Sequence, residues 1–108
     1  YRSFEAGAPV RLETLSTIAD SLASPLAMPY SFGVAHRYVD EIVRVEDDAL
    51  RAGMRQYQAI LKLTAEPACA AALAAVCGPL RDRVAGRHVG IIACGSNIGL
   101  ERFQSLLT

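Results

Sequence analysis

The chain has 108 residues, with eleven basic and eleven acidic side chains for a net charge of zero. Without a basic stripe there is no electrostatic basis for binding nucleic acid, and no apolar run approaches the roughly 20 residues that would span a bilayer. A domain of this size buries only around two thirds of its unfolded surface. With 52% hydrophobic residues, the chain reads as part of a larger core that is marginal by itself.

The start, Tyr1-Arg2-Ser3-Phe4-Glu5, has neither a signal-peptide core nor an initiator methionine, so the chain is expected to begin inside a longer protein. Residues 1–30 carry the turn formers Gly7, Pro9, Pro25 and Pro29 around Leu15–Asp20, which predicts irregular structure with at most a short helix. Ser31 can cap a short helix through Tyr38. The alternation in Glu41-Ile42-Val43-Arg44-Val45 then predicts a strand.

From Asp47 to Leu63, apolar Leu50, Met54, Tyr57 and Leu61 recur three or four apart, the spacing of an amphipathic helix. Glu46, Asp47 and Asp48 sit where carboxylates favour a helix start, a reading preferred over metal binding. Pro67 in a first turn and Gly78 after a last one bound a second helix, about 66–77. Its run of alanines lets it pack closely against a neighbour. The nearly continuous apolar stretch Arg87–Cys94 predicts an inner strand of a parallel sheet, and helical spacing resumes from Ile98 to Leu107.

Two strands and about four helices with crossover-length connections point to the α/β class. Two strands cannot make a stable sheet, so the missing neighbours are expected from an absent N-terminal part or from another chain. Strand 88–94 would expose apolar edges, and the chain is expected to fold poorly in isolation. The three cysteines, Cys69, Cys77 and Cys94, have no CxxC spacing and suggest a reducing, cytoplasmic setting. His36 and His88 lack metal-ligand spacing, and no metal site is expected.

Ligands of open parallel sheets bind beyond the C-terminal strand ends, where Cys94-Gly95-Ser96-Asn97 stands. By spacing alone this turn reads first as a strand-to-helix connection with a capping Ser or Asn, and second as a site. Four segments together say more. Glu13–Asp20, Arg37–Val45, Lys62–Ala68 and Ile91–Asn97 follow one another in an order that resembles the threonine dehydratase, serine dehydratase and serine racemase family of pyridoxal-phosphate (PLP) enzymes, through nearly the whole chain.

The resemblance implies that residues 1–108 are the C-terminal part of a catalytic fold, one piece of a three-layer parallel-sheet PLP domain (fold type II). It implies PLP as cofactor, a small amino-acid substrate and a homo-oligomer. Cys94 stands where the family hydrogen-bonds the pyridine nitrogen through a neutral serine or cysteine, which makes the ring a weaker electron sink than a carboxylate partner would. Glu66 matches a glutamate that helps set the ring's protonation, with helix N-capping as its structural role. Gly95 and Asn97 shape the turn at the pyridine edge, while Asp20 and Ser21 fall on the substrate side.

No catalytic residue is expected within the chain. Lys62 is the sole lysine, yet by the resemblance the Schiff-base lysine and the glycine-rich phosphate loop lie upstream. Lys62 suits the negative end of its own helix. Ser21, Cys69 and Ser96 each stand where the family commonly has glycine, adding side chains near the site. The whole protein is expected to be an ammonia-lyase that converts a β-hydroxy amino acid to a 2-oxo acid and ammonia. Racemisation or β-replacement on the same cofactor, and a non-catalytic nucleotide- or effector-binding α/β module, are the alternatives.

Overall fold

The computed structural model describes residues 1–108, and every regular element in it is helical. Helix α1 (Arg2–Ala6) precedes a 3₁₀ turn at Asp20–Leu22 and helix α2 (Pro29–Tyr38). Helix α3 (Asp47–Gln56) runs into a π-helical turn at Tyr57–Leu61, and α4 (Pro67–Cys77), α5 (Arg81–Val84) and α6 (Leu100–Leu107) follow. The four helices read from sequence are present; α2 starts two residues earlier than expected, and the other three are slightly shorter at an end. The sequence carried no strong signal for α1 or α5, which have only five and four residues.

Neither expected strand forms. Residues 41–45 and 87–94 carry no ladder, and the single β-bridge in the chain pairs Arg11 with Leu26. The physical reason is that a strand exists through its neighbours. Periodicity gives a segment two faces, but its N–H and C=O groups need partners, and this chain offers none to either segment. Ile92, in the middle of the second, is 80% exposed.

Ser31 does not cap α2. Pro29 occupies the first turn after Met28, its fixed φ being suited to that position, and the Ser31 hydroxyl donates to the Met28 carbonyl at 3.1 Å.

The core is the seam between α3 and α4. Met54 is fully buried (0% exposed), with Tyr57, Ala65, Cys69, Ala70, Phe103 and Leu106 around it. A second group joins Leu50 to Ala19 and Ala74. The close approach of the helices depends on small residues, since a Cβ on Gly53 would lie 3.1 Å from both the Ala70 Cβ and its carbonyl oxygen. The alanines of α4 therefore act as sequence analysis expected, and α4 contributes five buried residues.

The amphipathic face of α3 ends earlier than its spacing suggests. The π turn widens the helix and changes the phase of the side chains, leaving Ile60 and Leu61 exposed. Lys62 closes the turn in the left-handed region (φ 58°), and its Nζ donates to the Ala59 carbonyl at 2.7 Å. The ammonium thus sits on the negative end of its own helix.

The molecule is a slab of 39 × 36 × 19 Å with a radius of gyration of 14.8 Å, against about 13 Å for a compact domain of this length. It exposes 7856 Å², about a third more than the surface–mass scaling of folded monomers gives. No helix is long and apolar enough to cross a membrane.

Candidate functional site

Three separate parts of the chain converge on one cleft of about 160 Å³. Its walls include Ile18, Asp20, Glu66, Asn97, Arg102 and Leu106. The cleft lies at the N-terminal ends of α4 and α6, neither of which has a side-chain cap.

Glu66 is the N-cap residue of α4, but its carboxylate makes no capping hydrogen bond. It is held instead by its backbone, whose N–H donates to the Gly95 carbonyl at 3.1 Å. The carboxyl group lies directly against Gly95, and a Cβ there would come 2.7 Å from Glu66 Cδ. Gly95 has φ +105°, a conformation that L side chains rarely adopt. The turn therefore needs glycine both for its backbone and for the space that the carboxyl fills.

Asp20 reaches the cleft from the 3₁₀ turn, where its Oδ1 accepts the Ser21 N–H at 2.8 Å. The loop before it is tied to α3 by Asp47, whose carboxylate accepts the Thr17 hydroxyl at 2.7 Å and the Ile18 N–H at 3.1 Å. Thr17 Oγ1 in turn accepts the Ala19 N–H at 3.1 Å. One acidic residue of the cluster at the start of α3 is thus a tertiary tether, and Asp48 pairs with Arg51 at 3.0 Å. Asp47→Ala removes two charge-assisted bonds, and about 1–2 kcal/mol of stability should go with them. Denaturant unfolding measures the loss, and the 17–20 loop should show faster amide exchange.

Of the sequence-expected residues, Asp20, Glu66 and Asn97 line the cleft, and Gly95 packs on Glu66. Ser21 and Cys94 do not line it, and both are exposed. The Cys94 thiol is not packed among aliphatic side chains. It is a free thiol exposed at the surface of the turn. His36 is accounted for by its ring neighbours, Phe4 at 5.5 Å and Phe32 at 5.4 Å.

Sequence analysis missed two groups. Arg102 is the only cation among the residues lining the cleft. The Tyr57 hydroxyl is buried without a hydrogen-bond partner, although the residue is only 4% exposed. An apolar helix face announces neither, because a lone cation or phenol has no local signature.

Burial, then the charges of Cys94 and Glu66, push the Cys69 thiol above its ordinary 9.0. Burial first, then the cysteines, with Cys69 foremost, push Tyr57 above 10.0. An acid whose folded value is raised contributes stability that is intact below its unfolded value and lost as pH rises beyond it. The melting temperature of the chain should therefore fall from about pH 9 upward, and Cys69→Ala with Tyr57→Phe should flatten the fall. A thiol reagent at neutral pH should modify exposed Cys77 and Cys94 quickly, and buried Cys69 only on unfolding.

Residues 1–95 match the model of the family described as pyridoxal-phosphate dependent enzyme. The chain belongs to this family. It is 47% identical to phenylserine dehydratase of Ralstonia pickettii over 103 residues, 95% of this chain and 32% of that protein. It is 34% identical to L-threo-3-hydroxyaspartate ammonia-lyase of a Pseudomonas species, over 98% of this chain and 33% of that protein. Among solved structures, maize serine racemase superposes with a TM-score of 0.85 at 29% identity, covering 96% of this chain and 32% of the racemase.

The backbone is thus shared with PLP-dependent enzymes, consistent with the α/β class even though no strand is paired within these 108 residues. The chain spans about a third of the length of the curated relatives it matches.

The cofactor of the family fits what stands here. Glu66 has a carboxylate free of capping duty and seated on Gly95, and Cys94 and Asn97 add a thiol and an amide at the same turn.

Proposed function

We propose that this chain is the C-terminal part of the catalytic fold of a PLP-dependent ammonia-lyase, which converts a β-hydroxy amino acid to a 2-oxo acid and ammonia. The observation that carries the reading is the seating of the Glu66 carboxyl on Gly95, which brings one carboxylate and the Cys94–Asn97 turn to a common edge. In the whole protein the unpaired segments 41–45 and 87–94 join the parallel sheet of a three-layer fold type II domain. Identity to phenylserine dehydratase supports a phenylserine-type substrate, with an aryl group on the hydroxyl-bearing carbon.

Pyridoxal phosphate, when bound, supplies an electron sink for charge developing at the substrate's α-carbon. The residues of this chain set the conditions. Cys94 would hold the ring nitrogen through an uncharged hydrogen-bond partner, a weaker support for charge on the ring than a carboxylate would give. Glu66 would lie near the ring and help hold its proton state. Gly95 and Asn97 shape the turn, while Asp20 and Ser21 face the substrate side. The reading assigns the Schiff-base lysine to another part of the protein, and the engagement of Lys62 with the Ala59 carbonyl supports it. Three unpaired thiols suit a reducing compartment, so the reading places a homo-oligomer in the cytoplasm.

The test is the full-length protein with PLP, offered L-threo-phenylserine, L-threonine and L-serine. Formation of 2-oxo acid and ammonia, fastest with phenylserine, is expected. D-serine from L-serine as the main product would move the assignment to a racemase. Absence of a visible imine band with PLP supplied would overturn it. Cys94→Ser should keep the activity and Cys94→Asp should lower it.

A further inference from the structure

We propose that Arg102 is a positioning residue of the cofactor cleft, its guanidinium neutralising and orienting the carboxylates of Glu66 and Asp20. This rests on the reading above that Glu66 lies near the PLP ring. Two carboxylates and one amide share a space of about 160 Å³ with a single cation, Arg102.

In the chain as it stands Arg102 makes no ion pair, and water can screen the acids. Once the rest of the protein covers the cleft, that screening goes, with the cofactor bound or not. Two uncompensated carboxylates in a dry site are costly, and among the lining residues only Arg102 can offset them. Its planar, forked set of donors matches a carboxylate edge to edge, so it fixes orientation as well as charge.

The position of Arg102 is otherwise unfavourable. It is the third residue of α6 (Leu100–Leu107), where the positive end of the helix dipole disfavours a cation. The placement weakens the helix slightly and makes sense only through what the side chain faces. The charged and titratable groups around Glu66 are Asp20 from the 3₁₀ turn, Arg102 from α6, Cys69 on its own helix and Cys94 beside Gly95. Arg102 alone among them is positive.

The experiment is a pair of double-mutant cycles in the full-length protein. The first reads PLP affinity from the visible absorbance of the bound cofactor. Arg102→Gln should weaken affinity about tenfold, the scale of one charge-assisted bond, and Arg102→Lys should recover most of it. In a Glu66→Gln background, Arg102→Gln should change affinity less than about twofold. Equal losses in both backgrounds, as a merely structural arginine would give, overturn the proposal.

The second cycle reads the melting temperature of cofactor-free protein, where Glu66→Gln or Asp20→Asn should offset part of the loss caused by Arg102→Gln. Additive losses overturn the pairing. If that coupling holds while the wild-type protein takes up no PLP, the pairing stands and the functional reading falls.

Discussion

Gly95→Ala should cut PLP affinity of the full-length protein by one to two orders of magnitude. At φ +105° the alanine is strained whatever the space around it, by about 1–3 kcal/mol. Its methyl group also meets the Glu66 carboxyl. That collision alone is inexpensive, because a glutamate side chain can swing away, but swinging away removes the carboxylate from its place beside the turn. A Glu66→Ala single variant separates the effects. It loses the carboxylate and keeps the backbone unstrained, so it should lose affinity with its stability near that of the unaltered protein, whereas Gly95→Ala loses both. Absorbance titration with PLP and thermal unfolding are the two measurements.

Met54→Ala should destabilise the protein by about 2–5 kcal/mol. Met54 is the largest fully buried side chain and the centre of the group that joins α3 to α4 and α6. Its removal leaves a cavity that the seam cannot close, because Gly53 already brings the backbones to contact distance. Met54→Leu preserves most of the volume and should lose less than about 1.5 kcal/mol. Equilibrium denaturation gives both values. A small effect for Met54→Ala would mean that the seam is looser than the Gly53–Ala70 approach implies.

How much of this was readable beforehand depended on whether the cause was local. Helix α4 was, since Pro67 and Gly78 bound it and its alanines foretell a tight seam. The engagement of Lys62 with its own helix end was also legible, because the dipole argument needs only the helix. The strands were misjudged for the opposite reason. The apolar run at 87–94 is correctly strand-like in composition, yet pairing is a property of neighbours that these 108 residues do not contain. The π turn at Tyr57–Leu61 was invisible, and with it the exposure of Leu61, because nothing in a 3.6-residue pattern marks where a helix widens.

The site divides in the same way. Asp20, Glu66 and Asn97 lie 46 and 31 positions apart, and no periodicity joins them. They were reached through resemblance to a family, and the structure sets them around one cleft. The roles of Asp47 and Arg102 escaped notice because each is an ordinary helix residue until its spatial partner is known. Asp47 was read as favouring its helix start, when its carboxylate reaches across to Thr17 and Ile18.

The hydrogen bond from the Glu66 amide to the Gly95 carbonyl fixes the register between two distant points of the chain, and so dictates where the gene can tolerate added codons. Extra residues at the exposed junction near Gly86, where a side chain would meet nothing within 4 Å, would bulge into open solvent and leave the two ends of the span undisturbed. A single codon inserted between Cys94 and Asn97 would push a side chain into the place that only a hydrogen atom now occupies. Length variation among natural versions of this protein should therefore gather around Gly86 and avoid the turn from Cys94 to Asn97.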